Sequence, residues 1–346
     1  MTHPPQPEVT VEILAPYLSA ELPQIGRLTA IKKFGTGQSN PTFALSTDQG
    51  TYVLRTQPTG ELLKSAHQVD REYRVMKALA ETDVPVPAML HLAQDGSPLG
   101  RDFYIMAHLE GRIFWDPALP KMDNDGRAAI YHEMNRVLAA LHSVDIGEVG
   151  LEDFGRAGSY YERQFTRWSK QYKASELTPL PAMDKLMDWI AQAMPTDDGL
   201  VSLVHGDWRI DNLMFARDQA RIIGVLDWEI STLGHPVADL AYQCMQWRLP
   251  NQGSMRGLGG IDRVVMGLPG EAEYVAKYCT RRGWDGIENW PFYLAFSFFR
   301  LIAILQGVVR RAHDGNASNP ERARQMAAAI PLLAEMALNV IEKDKT

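Results

Sequence analysis

The stretch LVHGDWRIDNLMF, from Leu203 to Phe215, carries the strongest pattern in the chain. An apolar run ends in His-Gly-Asp, Asn212 follows Asp207 by five residues, and a second apolar run ends in Asp227 fifteen residues later. Carboxylate and amide oxygens suit Mg²⁺, which keeps coordination positions for phosphates, and a further carboxylate can take a proton from an attacking hydroxyl. Turn capping is the simpler explanation for one such residue, but three at these spacings favour a magnesium site.

Length and composition restrict the remaining possibilities. The 346 residues, at about 150 per domain, suggest two lobes, and a 45% hydrophobic content predicts a substantial core. A net charge of −7 argues against bulk electrostatic binding to nucleic acid. Cys244 and Cys279 cannot make a disulfide framework and are expected to be buried thiols in a reducing compartment. Residues 1–22 show no basic segment followed by an apolar run, which predicts a cytoplasmic protein.

The apolar segment from Trp290 to Val309 is long enough to cross a bilayer. Its one charged residue, Arg300, falls in the middle, where insertion costs about 2.5–3.5 kcal/mol. The segment is therefore predicted to be a buried helix, and no membrane partner is expected.

Hydrophobic periodicity divides the chain into two unlike parts. Alternating residues over 28–56 predict strands with a β-hairpin, residues 62–79 have helical spacing, and 89–93 and 102–108 look like further strands. After residue 111 helical patterns dominate, interrupted by short extended pieces at 213–216 and 221–227. The fold class is predicted to be α+β, with an N-terminal helical extension (1–27), a small mainly-β lobe (28–110) and a larger mainly-α lobe (111–346).

A glycine-rich turn lies between the first two predicted strands, where Gly35 and Gly37 would let backbone amides approach an anion. A turn without a ligand is at least as common. The third glycine of a G-x-G-x-x-G pattern is replaced by Asn40, and no helix follows, which argues against a dinucleotide-binding βαβ unit.

The pattern H-x-D-x-x-x-x-N with a later strand-end carboxylate resembles the protein-kinase catalytic loop and its metal-binding aspartate. With DWE (227–229) and GHPVADLA (234–241), the chain is similar to the aminoglycoside phosphotransferase branch of that fold. GTGQSNPTF (35–43), YVLR (52–55) and HGDWRIDNLMF most resemble the subgroup fused to, or encoded beside, acyl-CoA dehydrogenases. The resemblance implies a protein-kinase-like two-lobe fold and an enzyme that moves the γ-phosphoryl group of ATP or GTP, with Mg²⁺, to an alcohol group of a small metabolite.

The resemblance also implies a role for individual residues. Asp207 would be the catalytic base, Asn212 and Asp227 would hold Mg²⁺, and Asp239 would support the catalytic loop from a buried position. The implied nucleotide-binding residues are Gly35, Thr36, Gly37, Gln38, Ser39, Arg55, Glu72, Ala107 and Leu109. Within this set the turn residues would cover the phosphates, Glu72 would pair with Arg55, and the backbones of Ala107 and Leu109 would meet the nucleobase.

Arg55 departs from the wider family, which usually has lysine there. A guanidinium can bridge phosphate oxygens and Glu72, but it is not equivalent to an ammonium. The acyl-CoA-dehydrogenase-associated subgroup, which this chain resembles, also has Val-Leu-Arg in this strand. An active enzyme is therefore expected, and a nucleotide-binding pseudokinase is the alternative.

The acceptor is implied only in outline. The subgroup favours the hydroxyl of a hydroxyacyl-CoA and a functional link to an acyl-CoA dehydrogenase, and an aminoglycoside is the alternative. Candidate acceptor contacts are Tyr160, Trp208, Trp228 and Glu229, although core packing would explain the aromatic residues equally well.

Overall fold

The alternating residues of the N-terminal third form an antiparallel sheet. The computed structural model of this chain describes residues 7–35, 40–60, 67–252, 256–315 and 320–343. Strands β1 to β5 lie in the order β1-β2-β3-β5-β4. Their bounds are Leu28–Lys33, Thr42–Thr47, Gly50–Thr56, Met89–Ala93 and Phe103–Ala107. The turn between β2 and β3 has two residues, since Thr47 pairs with Gly50, as expected of a tight hairpin.

Two helices accompany this sheet. Helix α1 (Val11–Glu21) buries Leu14 and Leu18 in an apolar cluster with residues of the strands. Helix α2 (Val69–Ala78) falls within the predicted helix 62–79, of which residues 62–66 lie outside the described residues. The buried face of α2 carries Glu72 among apolar residues. The helix therefore directs one carboxylate into an apolar interior, where it needs a partner.

A small three-stranded sheet has the order β6-β8-β9. Its strands are β6 (Arg112–Ile113), β8 (Leu213–Phe215) and β9 (Ile222–Val225). Leu213 pairs with Val225, and the amide of Leu226 donates to the carbonyl of Asn212 at 2.9 Å. Asn212 and Asp227 therefore leave the same end of the β8–β9 hairpin.

The chain divides into two compact units. The first comprises residues 1–113, 147–151 and 212–231, which include both sheets described above, and the second comprises 114–146, 152–211 and 232–346. The second unit is mainly helical, with one two-stranded sheet of β7 (Ser202–Val204) and β10 (Thr232–Gly234). Its helices α3 to α9 are Asn124–His142, Tyr160–Ser175, Pro181–Gln192, Val237–Met245, Glu271–Arg282, Trp290–His313 and Pro320–Lys343.

Helix α8 is the core helix of the second unit. By length and composition alone, α8 and the stretch Ala323–Glu342 of α9 could cross a membrane. In α8, however, 83% of the most apolar window is buried inside the protein, against 33% in α9. The prediction of a buried helix at Trp290–Val309 is confirmed. Cys244 and Cys279 are free and buried, also as predicted.

Candidate active site

The first unit contains a buried ion pair between β3 and α2. Arg55 Nε lies 2.9 Å from Glu72 Oε2, as the sequence predicts for this pair. Glu72 is 1% exposed, and the hydroxyl of Tyr104, which faces Arg55 across the β3–β5 register, donates to the same oxygen at 3.1 Å. Two neighbouring strands of the sheet thus contact the same carboxylate oxygen of helix α2.

Burial and neighbouring charge act against each other at this carboxylate. Burial is the largest effect and raises the pKa of Glu72, and the charges of Asp227 and Glu229 raise it further. The charge of Arg55 and the hydrogen bond from Asn40 lower it. The net result is a pKa raised to about 7. Three carboxylates therefore share the field of Arg55.

Arg55 also contacts the residue proposed to bind metal. Its Nη2 donates to Asp227 Oδ1 at 2.8 Å. Asp227 has a left-handed backbone with φ of 64°, which costs a residue other than glycine about 1–3 kcal/mol and is often kept at functional sites. Its side chain remains 43% exposed, so one face of the carboxylate stays accessible to solvent.

The β8–β9 hairpin presents oxygen donors of the kind that Mg²⁺ prefers. Among the described residues, no group of three or more His, Cys, Asp or Glu side chains could hold a metal on its own. Asn212 offers a side-chain amide and Asp227 a carboxylate, both at the same end of the β8–β9 hairpin. Two protein oxygens fit Mg²⁺, which usually takes its other ligands from water and substrate phosphates.

The second unit contains the His-Gly-Asp loop, which begins directly after β7. The carboxylate of Asp239 on α6 accepts the backbone amides of His205 at 2.6 Å and Gly206 at 2.8 Å. Gly206 has φ of 85°, a conformation that favours glycine. The side chain of Asp239 thus fixes the backbone that leads to Asp207.

Asp239 is fully buried and ionised. Burial raises the pKa of its carboxyl. Interactions that together outweigh burial lower it, namely the hydrogen bond from His142, the electrostatic interactions with His142 and His205, and the hydrogen bond from the amide of His205. The pKa of Asp239 therefore lies below its usual value. His142 Nε2 lies 3.3 Å from Asp239, and Nδ1 lies 2.6 Å from the Tyr278 hydroxyl. Nε2 of His142 thus faces the Asp239 carboxylate, while burial lowers the pKa of the imidazole.

Arg300 is a site residue that the sequence reasoning missed. It is 7% exposed in the middle of α8, and its Nη2 donates to the carbonyl of Gly206 at 2.8 Å. Its guanidinium also lies 5.5 Å from the ring centroid of Tyr242, whose hydroxyl hydrogen-bonds Asp207. A lone charge in a 20-residue apolar segment was a usable signal, since a buried cation requires a partner.

A model of the phosphotransferase enzyme family matches residues 30–274 of the chain. The chain belongs to this phosphotransferase family. The membership confirms the expected family, the protein-kinase-like α+β fold and the phosphotransferase class of enzyme.

Two groups of similar proteins agree with this membership. Acyl-CoA dehydrogenase family member 10 of Mus musculus is 44% identical over 90% of this chain and 29% of its own length. Family member 11 of Homo sapiens is 39% identical over 98% of this chain and 44% of its own length. The chain thus spans less than half of these relatives, which match the subgroup expected from the sequence.

Solved structures show the same fold. A Ralstonia eutropha protein provisionally assigned as an aminoglycoside phosphotransferase is 47% identical, with a TM-score of 0.88 over 96% of this chain and 98% of the other. Macrolide 2′-phosphotransferase of Brachybacterium faecium is 18% identical, with a TM-score of 0.59 over 92% of this chain and 98% of the other.

The remaining nucleotide contacts predicted for this phosphotransferase are only partly described. Gly35 is exposed, and a Cβ there would meet nothing within 4 Å, whereas Thr36, Gly37, Gln38 and Ser39 lie outside the described residues. The amide of Ala107 already donates to the carbonyl of Ala88 at 2.9 Å. Leu109 is half-buried and packs near Gly224. Nucleotide binding by these residues stays a prediction.

The predicted acceptor contacts are mostly interior. Trp208 and Tyr160 are buried in the second unit and Trp228 in the first, where its indole donates to Val225 at 2.9 Å. Glu229 is half-buried, with its Oε1 4.0 Å from His67 Nδ1. Their contact with an acceptor likewise stays a prediction.

Proposed function

We propose that this phosphotransferase moves the γ-phosphoryl group of ATP or GTP to the hydroxyl of a hydroxyacyl-CoA. Family membership supports the reaction class. The observation that carries activity over a pseudokinase is that Arg55 contacts both Glu72 and Asp227. The arginine that replaces the usual lysine therefore keeps a carboxylate partner on α2 and another after β9.

The side chains suggest a division of labour. Asp207 accepts the proton of the acceptor hydroxyl, the acceptor oxygen bonds to the γ-phosphorus, and the bond to the β,γ-bridging oxygen breaks, which releases ADP or GDP. Such a transfer depends on positioning and charge neutralisation. When bound, Mg²⁺ would be held by Asn212 and Asp227 and would neutralise the nucleotide phosphates. The loop anchored by Asp239 and Arg300 fixes Asp207.

The relatives support the acceptor class. The matched region of proteins named acyl-CoA dehydrogenase family members covers at least 90% of this chain at 44% and 39% identity. The hydroxyl of a hydroxyacyl thioester would have to leave as hydroxide, which is a poor leaving group. Phosphorylation of that hydroxyl would give a dehydrogenase-associated system a better leaving group. An aminoglycoside acceptor is the second candidate, favoured by the 47% identical Ralstonia eutropha protein.

A phosphotransfer screen tests the proposal. The purified chain is incubated with Mg²⁺ and γ-labelled ATP or GTP and with hydroxyacyl-CoAs of several chain lengths, and the products are identified by mass spectrometry. The matched panels are the free hydroxy acids, the acyl-CoAs without a hydroxyl, and aminoglycosides. We expect phosphorylation of hydroxyacyl-CoAs by the wild type and none by Asp207→Asn. Transfer to aminoglycosides alone would contradict the acceptor, and no transfer to any panel would contradict the activity.

A further inference from the structure

Asn40 occupies the position where a G-x-G-x-x-G turn would have its third glycine, and it is a buried polar residue. Asn40 is 0% exposed, and its Nδ2 donates to Glu72 Oε1 at 2.7 Å. The other carboxylate oxygen of Glu72 takes the Tyr104 hydroxyl and the ion pair with Arg55. Asn40 therefore donates to one oxygen of Glu72, while Tyr104 and Arg55 contact the other.

His67 fixes the orientation of the Asn40 amide. Its Nδ1 lies 2.9 Å from Asn40 Oδ1. Since the amide nitrogen must face the Glu72 carboxylate, the amide oxygen faces His67, and Nδ1 must carry the proton. The same Nδ1 lies 4.0 Å from Glu229 Oε1. The donors thus run in one direction, from His67 through Asn40 to Glu72.

The donors around Glu72 determine where Arg55 points. A carboxylate that accepts hydrogen bonds at both oxygens has a fixed orientation. The planar guanidinium of Arg55 has to contact this carboxylate and that of Asp227 at the same time, so its own orientation depends on that of Glu72. If Oε1 lost its donor, the carboxylate could rotate and Arg55 would lose its orientation. Hydrogen bonds to charged buried groups are among the stronger ones in proteins.

We infer that Asn40 is a positioning residue for the nucleotide phosphates, acting through Glu72 on Arg55. The inference rests on the proposed nucleotide-dependent function and extends it to a residue outside the catalytic motifs. Asn40 follows the glycine-rich turn directly. The residue directly after the predicted turn therefore also aligns the cation proposed to meet the phosphates.

Binding measurements separate this role from a structural one. Affinities for Mg·ATP and for adenosine are measured by competition against a fluorescent ATP analogue. Asn40→Leu should weaken Mg·ATP binding about tenfold and leave adenosine affinity unchanged, because only the phosphates meet Arg55. Asn135→Leu is the matched control, since Asn135 is equally buried and donates to the carbonyl of Tyr274 in the second unit. It should lower stability without altering either affinity.

The variant His67→Gly keeps the inference testable if Asn40→Leu folds poorly, and a double variant tests the route through Glu72. His67 is a non-glycine residue with φ of 60°, so His67→Gly removes the ring without backbone strain, and it should weaken Mg·ATP binding about threefold. Asn40→Leu should cost nothing more in a Glu72→Gln background, because the two residues act in series.

Several outcomes would overturn the inference. Equal losses for ATP and adenosine would indicate a structural role alone, and unchanged ATP affinity in both the Asn40 and His67 variants would exclude the positioning role. Additive effects of Asn40→Leu and Glu72→Gln would show that Asn40 does not act through Glu72. A wild type that binds no Mg·ATP would instead overturn the proposed function, which makes the two failures distinguishable.

Discussion

Arg55 Nη2 donates a hydrogen bond of 2.8 Å to Asp227 Oδ1, across 172 residues of sequence. The same guanidinium forms an ion pair with Glu72. One cation thus pairs with two carboxylates of the first unit, one deeply buried and one partly exposed. The arginine is therefore a structural element as well as a proposed phosphate ligand.

Removing this cation should destabilise the protein through Glu72. Arg55→Met keeps most of the side-chain volume but leaves a buried carboxylate without its cation, and we expect a loss of about 3 kcal/mol in the free energy of unfolding measured in urea. Glu72→Gln combined with Arg55→Met should recover part of that loss, because no buried charge remains. A double variant no more stable than Arg55→Met would show that the ion pair is not the cause.

Asp227 should act on nucleotide affinity through the metal. Asp227→Ala is expected to weaken ATP binding about tenfold or more when Mg²⁺ is present. In EDTA the variant and the wild type should bind ATP alike, since the proposed metal ligand then has no metal to hold. Calorimetry with and without Mg²⁺ measures both, and equal affinities in the presence of Mg²⁺ would refute the metal role.

Arg300 should hold the catalytic loop from behind. Arg300→Met removes the donor to the Gly206 carbonyl, and we expect a loss of about 1.5–3 kcal/mol in stability with a fall in kcat and little change in KM for ATP. Arg310→Met on the same helix is the control. The Arg310 side chain is 42% exposed and paired with Asp314, so its loss should cost about 0.5 kcal/mol or less. Comparable losses in the two variants would argue against a specific loop contact.

Stability should fall in acid because of the pair behind the catalytic loop. Burial lowers the pKa of His142 from its ordinary 6.5, so the unfolded chain binds a proton more readily and stability is lost as pH falls below about 6.5. The lowered pKa of Asp239 adds a loss below its ordinary 3.8. In urea unfolding, the stability of the wild type relative to His142→Gln should therefore fall between pH 7.5 and pH 5, since groups present in both proteins, Glu72 included, cancel in this difference. Parallel curves would contradict this.

Sequence patterns predicted the elements that depend on local periodicity. The long strands, helices α3 to α9 and the buried α8 follow from alternation and helical spacing. Strands β6, β7 and β10 have only two or three residues each, too few for any alternation to be visible. Their formation depends on pairing with partners distant in the chain.

Two contacts in the candidate site were implied by the family resemblance. The Arg55–Glu72 pair and the support of Asp239 for the His-Gly-Asp loop follow the resemblance. The contact of Arg300 with Gly206 spans 94 residues, and that of Asn40 with Glu72 spans 32. Such contacts arise from tertiary packing, and periodicity along the chain does not encode them.

Asp207 is proposed to accept the proton of the acceptor hydroxyl, and one isosteric substitution separates that role from nucleotide binding. Asp207→Asn keeps the shape of the side chain but cannot accept the acceptor proton. With Mg·ATP and the best acceptor from the screen, we expect an affinity for Mg·ATP within about twofold of the wild type and turnover reduced at least about a hundredfold. Near-normal turnover by Asp207→Asn would contradict the account.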